Sequence, residues 1–195
     1  VTSTALSPGD AKVMVLFDPT TATWYASMPA TTTTTEMKVL RAKLISESLG
    51  RQFEDEFEKI EGIVSLRLLR LNRTRITDDS LRHIERLPEL IMLYLSRTNV
   101  TDGAVERIVK LRKLTSLQLS HTRVTDRGVA RLSELPRLTH LGLDGTEVSD
   151  DAVPHLLKLK SLEYLNLSET GITSDGLKKL VEGLPKCHIQ KLESE

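Results

Sequence analysis

Aliphatic residues recur through residues 66–185 at an interval of 24 positions, and each interval contains two different patterns. The first pattern has period two, as in Leu117 and Leu119, and is typical of a short strand with one buried face. The second spaces apolar residues by three, as in Val129 and Leu132, and indicates a short helix with one buried stripe. The chain is therefore predicted to repeat a strand–helix unit five times.

Hydroxyl residues mark two further positions in every unit. A threonine follows each predicted strand, at Thr74, Thr98, Thr122, Thr146 and Thr170. We expect it to be buried, with its hydroxyl satisfying backbone groups between coils. A second hydroxyl residue precedes each predicted helix, at Thr77, Thr101, Thr125, Ser149 and Thr173. Such residues are good helix N-caps.

An aspartate follows the cap in four units, at Asp78, Asp102, Asp126 and Asp150. A carboxylate there is expected to interact favourably with the positive end of the helix dipole. The fifth unit keeps Thr173 but moves its acid to Asp175. Recurrence at helix starts favours this capping role over catalysis or metal binding by the aspartates.

A single unit cannot bury enough apolar surface to fold alone, so neighbouring units must stack and share a core. Parallel strands stack at about 4.8 Å, whereas the helices opposite them are bulkier. The stack must therefore curve, with the strands on the concave side. The fold class predicted is α/β, a right-handed solenoid with a parallel sheet on the concave face and short helices on the convex face.

The repeated frame L-x-x-L-x-L-x-x-T-x-[VI]-[TS]-D resembles the leucine-rich repeat family. It is similar to the subclass that includes the cysteine-containing repeats of F-box proteins, ribonuclease-inhibitor-like horseshoes and short-repeat bacterial proteins. The match covers roughly residues 62–192, with threonine where cysteine or asparagine often sits, and no F-box is recognisable upstream. The resemblance implies a horseshoe used for protein binding.

The segments around the repeats are predicted to differ from them. Residues 1–35 indicate an irregular region and linker, in which 12–28 forms either a hairpin or the tail of an upstream domain. Residues 36–65 are expected to form an N-terminal helical cap and a first irregular strand, with an amphipathic docking helix as the alternative to the cap. Residues 66–185 are expected to form the five repeats. Residues 186–195 are expected to close the stack, with Cys187 as buried filler in place of a core leucine.

Composition narrows the classes of function. The sequence has 195 residues, 39% hydrophobic but only 4% aromatic, so the core must consist of Leu, Ile and Val. One cysteine excludes an internal disulfide framework, and no apolar run approaches the roughly 18 residues that span a bilayer. Residues 13–17 are too short for the apolar core of a secretory signal. A cytoplasmic location is favoured, and an extracytoplasmic one stays open if an upstream segment carries a signal.

The residues that the fold does not dictate are those that point outward from the strands. They include Arg70, Met92, Tyr94, Gln118, His140, Tyr164 and Asn166. Large aromatic and polar side chains of this kind are typical of protein-recognition surfaces. The alternative is that each is an ordinary solvated strand residue.

Charge is unevenly distributed although Lys+Arg and Asp+Glu both total 27. Basic residues exceed acidic ones by two, three and two in the first three repeats, and acidic residues exceed by two in each of the last two. These halves could orient a bipolar protein partner or drive self-association. A nucleic-acid contact by the basic half is less favoured, because stacking aromatics and lysine clusters are lacking.

No H-E-x-x-H, G-x-S-x-G or P-loop motif is present, and no cofactor is expected. A metal site from His121, His140 and Asp144 would draw on unrelated repeats. The sequence therefore favours a non-enzymatic module that binds another protein on its concave face. The alternative is the recognition part of a larger enzyme or secreted effector with its active domain upstream.

Overall fold

The structure of the protein is a computed structural model that describes residues 13–18, 23–27 and 66–192. Within these ranges, eight strands form one sheet in the order β2-β1-β3-β4-β5-β6-β7-β8. The strands are β1 Val13–Asp18, β2 Thr23–Ser27, β3 Leu66–Arg70, β4 Met92–Tyr94, β5 Ser116–Gln118, β6 His140–Gly142, β7 Tyr164–Asn166 and β8 His188–Gln190.

All strand pairs from β3 to β8 are parallel, as the sequence predicts. The sheet extends further on the β3 side, where β1 pairs parallel with β3 and antiparallel with β2. Of the two interpretations left open for residues 12–28, the strand pairing is that of a hairpin. The helical cap expected at 36–65 lies outside the described residues.

The register stacks equivalent leucines directly over one another. The central residue of each repeat strand pairs with the central residue of the next, through Leu69, Leu93, Leu117, Leu141 and Leu165, all fully buried. The buried apolar side chains of the described chain are Leu, Ile, Val and Ala. One continuous aliphatic core therefore runs through the stack, and the aliphatic core predicted from composition is confirmed.

Helical segments cover the opposite face of the sheet. They are a 3₁₀ helix Asp79–Arg86, helix α1 Asp102–Ile108, helix α2 Asp126–Leu132, a 3₁₀ turn Asp150–Ala152 that continues into helix α3 Val153–Leu156, and helix α4 Ser174–Gly183. The fourth repeat begins as 3₁₀ because Pro154, in the first turn of α3, has no N–H for an i−4 carbonyl.

Four of the five predicted N-caps are confirmed. The hydroxyls of Thr101, Thr125, Ser149 and Thr173 accept hydrogen bonds from backbone N–H groups two or three residues ahead, at 3.2–3.4 Å. The prediction for Thr77 is wrong. The first helical segment is 3₁₀ and begins at Asp79, and the Thr77 N–H donates instead to Ser80 Oγ at 3.2 Å.

The hydroxyls of the threonines that follow the strands bind backbone groups, as predicted, but within their own coil and not between coils. Each donates its hydroxyl to the carbonyl of the leucine three residues earlier, at 2.5–2.7 Å; the donors are Thr74, Thr98, Thr122, Thr146 and Thr170. The first four are buried and Thr170 is half-buried. The bond ties the turn after each strand to a leucine carbonyl of the same repeat.

The repeated aspartates do more than the dipole argument predicts. Each carboxylate reaches the next repeat and accepts two bonds from its cap residue, one from the N–H and one from the hydroxyl. Asp102 accepts from Thr125 at 2.8 and 2.7 Å, and Asp126 accepts from Ser149 at 2.7 and 2.6 Å. Asp78 and Asp150 bind Thr101 and Thr173 in the same way. The aspartates therefore form a ladder that joins consecutive repeats.

This ladder gives a reason for the irregular fifth repeat. Within the described residues, no strand–helix repeat follows helix α4, so position 174 has no cap residue ahead of it to bind. That position holds Ser174, and the acid of the repeat is displaced to Asp175 in the first turn of the helix. The change removes the ladder carboxylate and keeps an acid near the helix N-terminus.

The expectation for Cys187 needs correction. The pairing of His188 with Tyr164 makes Cys187 the counterpart of Glu163, not of a core leucine. Its side chain is half-buried and packs against the edge of the core. Burial raises the pKa of the thiol, which disfavours the reactive thiolate.

We expect Leu119→Ala to lower the free energy of unfolding by about 2–5 kcal/mol, because it opens a cavity in the shared core. Urea denaturation followed by circular dichroism measures the loss. Leu192→Ala is the matched control, because Leu192 is 62% exposed and should change little. Equal effects of the two substitutions would contradict a continuous core.

We also expect Asp150→Ala to destabilise the fold at neutral pH far more than Asp151→Ala. The two carboxylates are adjacent, but the side-chain bonds of the ladder reach only Asp150. Hydrogen bonds from the Thr173 hydroxyl and N–H lower the pKa of Asp150 below its ordinary value of 3.8. Its contribution is therefore present above that value and is lost as the pH falls through the lowered pKa.

Thermal denaturation of both variants at pH 7 and in strong acid tests the ladder. The gap between Asp150→Ala and the wild type should close in acid, whereas Asp151→Ala should stay near the wild type at both pH values. A gap that persists in acid would show that the carboxylate charge is not what stabilises the junction.

Candidate functional site

The concave face of the sheet carries two rows of outward-facing side chains, which the strand register aligns across the repeats. The first row is Leu68, Met92, Ser116, His140, Tyr164 and His188. The second row is Arg70, Tyr94, Gln118, Gly142, Asn166 and Gln190. The helices lie on the other face, so within the described chain no helix covers these rows.

All seven predicted site residues lie on this face. The structure divides them into groups that the sequence did not reveal, and it adds His188 and Gln190, which sequence reasoning missed. The signal was present, since both residues continue the 24-residue rows from Tyr164 and Asn166. It was overlooked because β8 follows a helix that ends the regular repeats.

An N-terminal cluster consists of Leu68, Arg70, Met92 and Tyr94, on strands β3 and β4. The guanidinium carbon of Arg70 lies 4.9 Å from the centroid of the Tyr94 ring, in a cation–π arrangement. The Tyr94 hydroxyl contacts the Met92 sulfur at 3.6 Å. The buried Nε of Arg70 has no hydrogen-bond partner among the described residues. The cluster thus offers apolar area with a cation at its centre.

A C-terminal cluster consists of His140, Tyr164 and His188, on strands β6 to β8. Their rings stack in sequence, with centroids 6.2 Å apart for the first pair and 5.8 Å for the second. The Tyr164 hydroxyl donates to Gln190 Oε1 at 2.6 Å, which fixes the central ring. The three rings form a rigid aromatic stripe across the strands.

Small and flexible residues separate the two clusters. Gly142 is buried because the amide of Gln118 lies directly over it, in space that a Cβ on residue 142 would need. Ser116 occupies the other row at this level. The side chains between the clusters are therefore smaller and polar, and the two clusters project further from the sheet than they do.

The outer rim of the concave face is partly occupied by structural bonds. Asn72 Oδ1 accepts the N–H of Ser96 at 2.9 Å, and Ser120 Oγ donates to Asp144. Asn166 Nδ2 donates to the same Asp144 oxygen at 3.1 Å. These side chains hold neighbouring repeats in register.

Beyond these residues the chain turns with a left-handed residue in every repeat. The positions are Arg73, Arg97, His121, Gly145 and Glu169, with φ between 52° and 63°. Their N–H groups donate to carbonyls of the following coil at 2.7–3.1 Å, so they extend the sheet hydrogen bonding past the strands. The charge of this row passes from basic to acidic along the stack.

His121 lies between charged neighbours in this row. Its Nε2 is 3.2 Å from Arg97 Nη2 and 3.6 Å from Asp144 Oδ2. His140, the third residue of the metal site considered from the sequence, bonds Thr139 and stacks on Tyr164 instead. Among the described residues no group of three His, Cys, Asp or Glu side chains is placed to hold a metal ion.

Charges on the convex side are arranged differently, because they pair between adjacent repeats. Glu85 accepts from Lys110 at 2.7 Å and from Arg107 at 3.2 Å. The hydrogen bond from Lys110 is the main cause that lowers the pKa of Glu85. Further pairs join Lys113 to Glu89 and Arg131 to Glu106. Four basic side chains of the convex side are thus paired with acids of the preceding repeat.

Helices of the length and apolarity that a bilayer requires do not occur in the part of the chain that the structure describes. The described helical segments are short and belong to the repeats.

A family model described as a leucine-rich repeat region matches residues 22–194 of the chain. No curated protein sequence matches it.

Solved structures of bacterial proteins are similar in fold. A leucine-rich repeat protein of Leptospira interrogans is 24% identical with a TM-score of 0.54, over 68% of this chain and 33% of its own. Two internalins of Listeria monocytogenes follow: InlF, at 19% and 0.58 over 71% and 39%, and InlC2, at 26% and 0.57 over 69% and 55%. The chain spans between a third and about half of the length of these proteins.

Proposed function

The chain belongs to the leucine-rich repeat family, and from that membership we propose that it is a non-enzymatic module that binds another protein on its concave face. The observation that carries the proposal is the pair of side-chain clusters that six parallel strands raise on a face no described helix covers. Aromatic side chains and arginine dominate the energetics of protein interfaces.

The arrangement of the two clusters supports a protein partner over a small molecule. The N-terminal cluster lies on strands β3 and β4 and the C-terminal cluster on β6 to β8, with strand β5 between them. Neighbouring strands are about 4.8 Å apart, so β3 and β8, the outermost strands that carry the two clusters, are separated by about 24 Å. A partner that covers both clusters in full must extend over this distance, which suits a protein segment or domain.

The same seven residues carry the proposed contact. Arg70, Met92 and Tyr94 supply the N-terminal patch, Gln118 the polar centre, and His140, Tyr164 and Asn166 the C-terminal patch. The aromatic side chains are held by contacts within the sheet, which reduces the entropy that binding would otherwise cost. Preorganised aromatic patches on a rigid sheet are suited to recognition without chemistry.

A second candidate is that the chain is the recognition part of a larger enzyme or effector. The structural comparisons support this second candidate, because the chain spans only part of the length of the proteins it resembles. Sequencing the complete gene decides between the two: an additional catalytic domain in the same reading frame supports the larger protein.

We expect Tyr94→Ala combined with Tyr164→Ala to weaken partner binding by at least about tenfold, because both anchors of the concave face are removed. Both side chains lie outside the core, so the unfolding temperature should stay close to that of the wild type. Affinity capture from a lysate of the cells that make the protein, followed by mass spectrometry, compares the two proteins.

Val181→Ala is the matched control for this experiment. Val181 is 54% exposed on helix α4, on the convex side, so its loss removes exposed apolar area without touching the concave face. A partner retained by the wild type and by Val181→Ala, and lost by the folded tyrosine variant, supports the proposal. A partner that the tyrosine variant retains as well as the wild type does would contradict the proposal.

A further inference from the structure

The turn that follows each strand requires a residue in the left-handed region. Glycine adopts this region without steric cost, whereas an L-residue is disfavoured there. Only the fourth repeat of the described chain uses glycine, at Gly145; the other four hold the same conformation with φ of 52–59°, at Arg73, Arg97, His121 and Glu169. Arginine is not among the residues enriched in this region. Strain tolerated at such a position points to a use for the side chain.

Neither of these arginines has an acidic partner in the described part of the chain. Both are exposed, and the polar side-chain contact of Arg97 is with the neutral or cationic ring of His121. By contrast, Arg107, Lys110, Lys113 and Arg131 on the convex side all form ion pairs between repeats. These four convex cations are thus paired with acids, whereas neither rim arginine is so paired within the described residues.

The nearby acids are already engaged within the fold. On this edge, Asp78 and Asp102 each accept two hydrogen bonds from the cap residue of the following repeat. Asp144 is bonded by Ser120 and Asn166, and it faces His121. Asp79 is exposed in the first turn of the 3₁₀ helix, where it lies near the positive end of the segment.

The two rim arginines stand at the ends of the strands that carry the N-terminal cluster. Arg73 follows Arg70 by three residues, and Arg97 follows Tyr94 by three residues. The backbones of the two repeats are joined here by bonds from Leu71 N to Tyr94 O and from Arg73 N to Ser96 O, both 2.8 Å. The rim and the cluster therefore belong to the same two hydrogen-bonded repeats, which bring three arginines to the end of the sheet that carries the apolar patch.

We propose that this surface binds an acidic segment of the partner protein, with carboxylates on Arg73, Arg97 and Arg70 and an apolar side chain against Leu68, Met92 and Tyr94. Guanidinium groups present a planar fork of donors that matches a carboxylate in geometry and charge. The Arg70 guanidinium lies over the Tyr94 ring, which places one such fork beside the apolar patch. This inference rests on the proposed concave-face binding and adds the chemistry of the partner.

Selection of random peptides displayed on phage, with the full chain immobilised, tests the chemistry while the natural partner is still unidentified. We expect the selected peptides to be enriched in Asp and Glu beside aliphatic or aromatic residues. The best peptide is then synthesised and titrated, and its affinity should fall as salt is raised. Selection of basic peptides, of peptides without charge preference, or of none overturns the proposal.

Charge variants locate the contact. Arg73→Gln combined with Arg97→Gln should weaken the peptide by about tenfold or more. Arg112→Gln is the matched control, because Arg112 is exposed, donates to the Glu134 carbonyl, and precedes strand β5, at the end of that strand opposite the left-handed turn. Equal affinity of the rim variant and the wild type overturns the proposal, as does an equal loss in the control.

Two glycine and alanine variants test the strain. Arg97→Gly should unfold at a higher temperature than Arg97→Ala, because alanine keeps the disfavoured left-handed conformation and glycine relieves it. Both should bind the peptide more weakly than the wild type. If glycine gives no gain over alanine, the argument from strain fails and the proposal is overturned.

Other polyanions and other copies of the chain are included as competing outcomes. If a single-stranded oligonucleotide binds through Arg73 and Arg97 more tightly than the acidic peptide does, the partner is a nucleic acid and the proposal is wrong. Sedimentation of the chain alone at low salt detects pairing between its basic and acidic halves. If the chain self-associates and the Arg73→Gln, Arg97→Gln variant does not, the partner is a second copy of the chain and the proposal of a separate partner is wrong.

The tyrosine variant separates this proposal from the function on which it rests. If peptide binding is lost in Tyr94→Ala with Tyr164→Ala but is unchanged in the arginine variant, concave-face binding stands and the acidic partner is wrong. If neither variant changes the binding, both proposals fail.

Discussion

The hydrogen bonds that pass from each repeat to the next are the interaction on which the rest of the structure depends. One repeat cannot bury its own core, so its strand, its turn and its cap must all be completed by a neighbour. The pair from Asp102 to the N–H and hydroxyl of Thr125 shows the principle, since one carboxylate satisfies two polar groups of the following coil. The aliphatic core holds the stack together, and these bonds set its register.

The same principle explains the positions where the repeats depart from one another. Ser174 replaces the ladder aspartate at the point where the described chain has no further repeat to bind. Pro154 shifts the fourth repeat into a 3₁₀ turn, because a missing N–H cannot join the α-helical ladder. Neither change disturbs the sheet, because both positions lie in the helical half of the repeat and not in a strand.

A framework held this firmly allows the outward-facing residues to vary. The concave face carries a cation–π cluster at one end and a stacked aromatic stripe at the other. Equivalent leucines are buried beneath both. At the rim, Arg73 and Arg97 occupy a conformation that glycine would satisfy better. The stability lost at such positions is tolerated because the repeats on either side define the turn, which fits a surface selected for what it presents.

The sequence by itself determined the repeat, the strand and helix of each unit, the buried threonines and the rows of exposed residues, since all of these follow from a fixed period of 24. It did not show that Asp102 binds Thr125, that Arg70 lies over Tyr94, or that His188 extends the aromatic stripe. These contacts join residues of different repeats, and their geometry depends on the spacing and register of the stacked strands. The 24-residue period identifies the structural role of each position. The packing of one coil on the next decides which residues that position contacts.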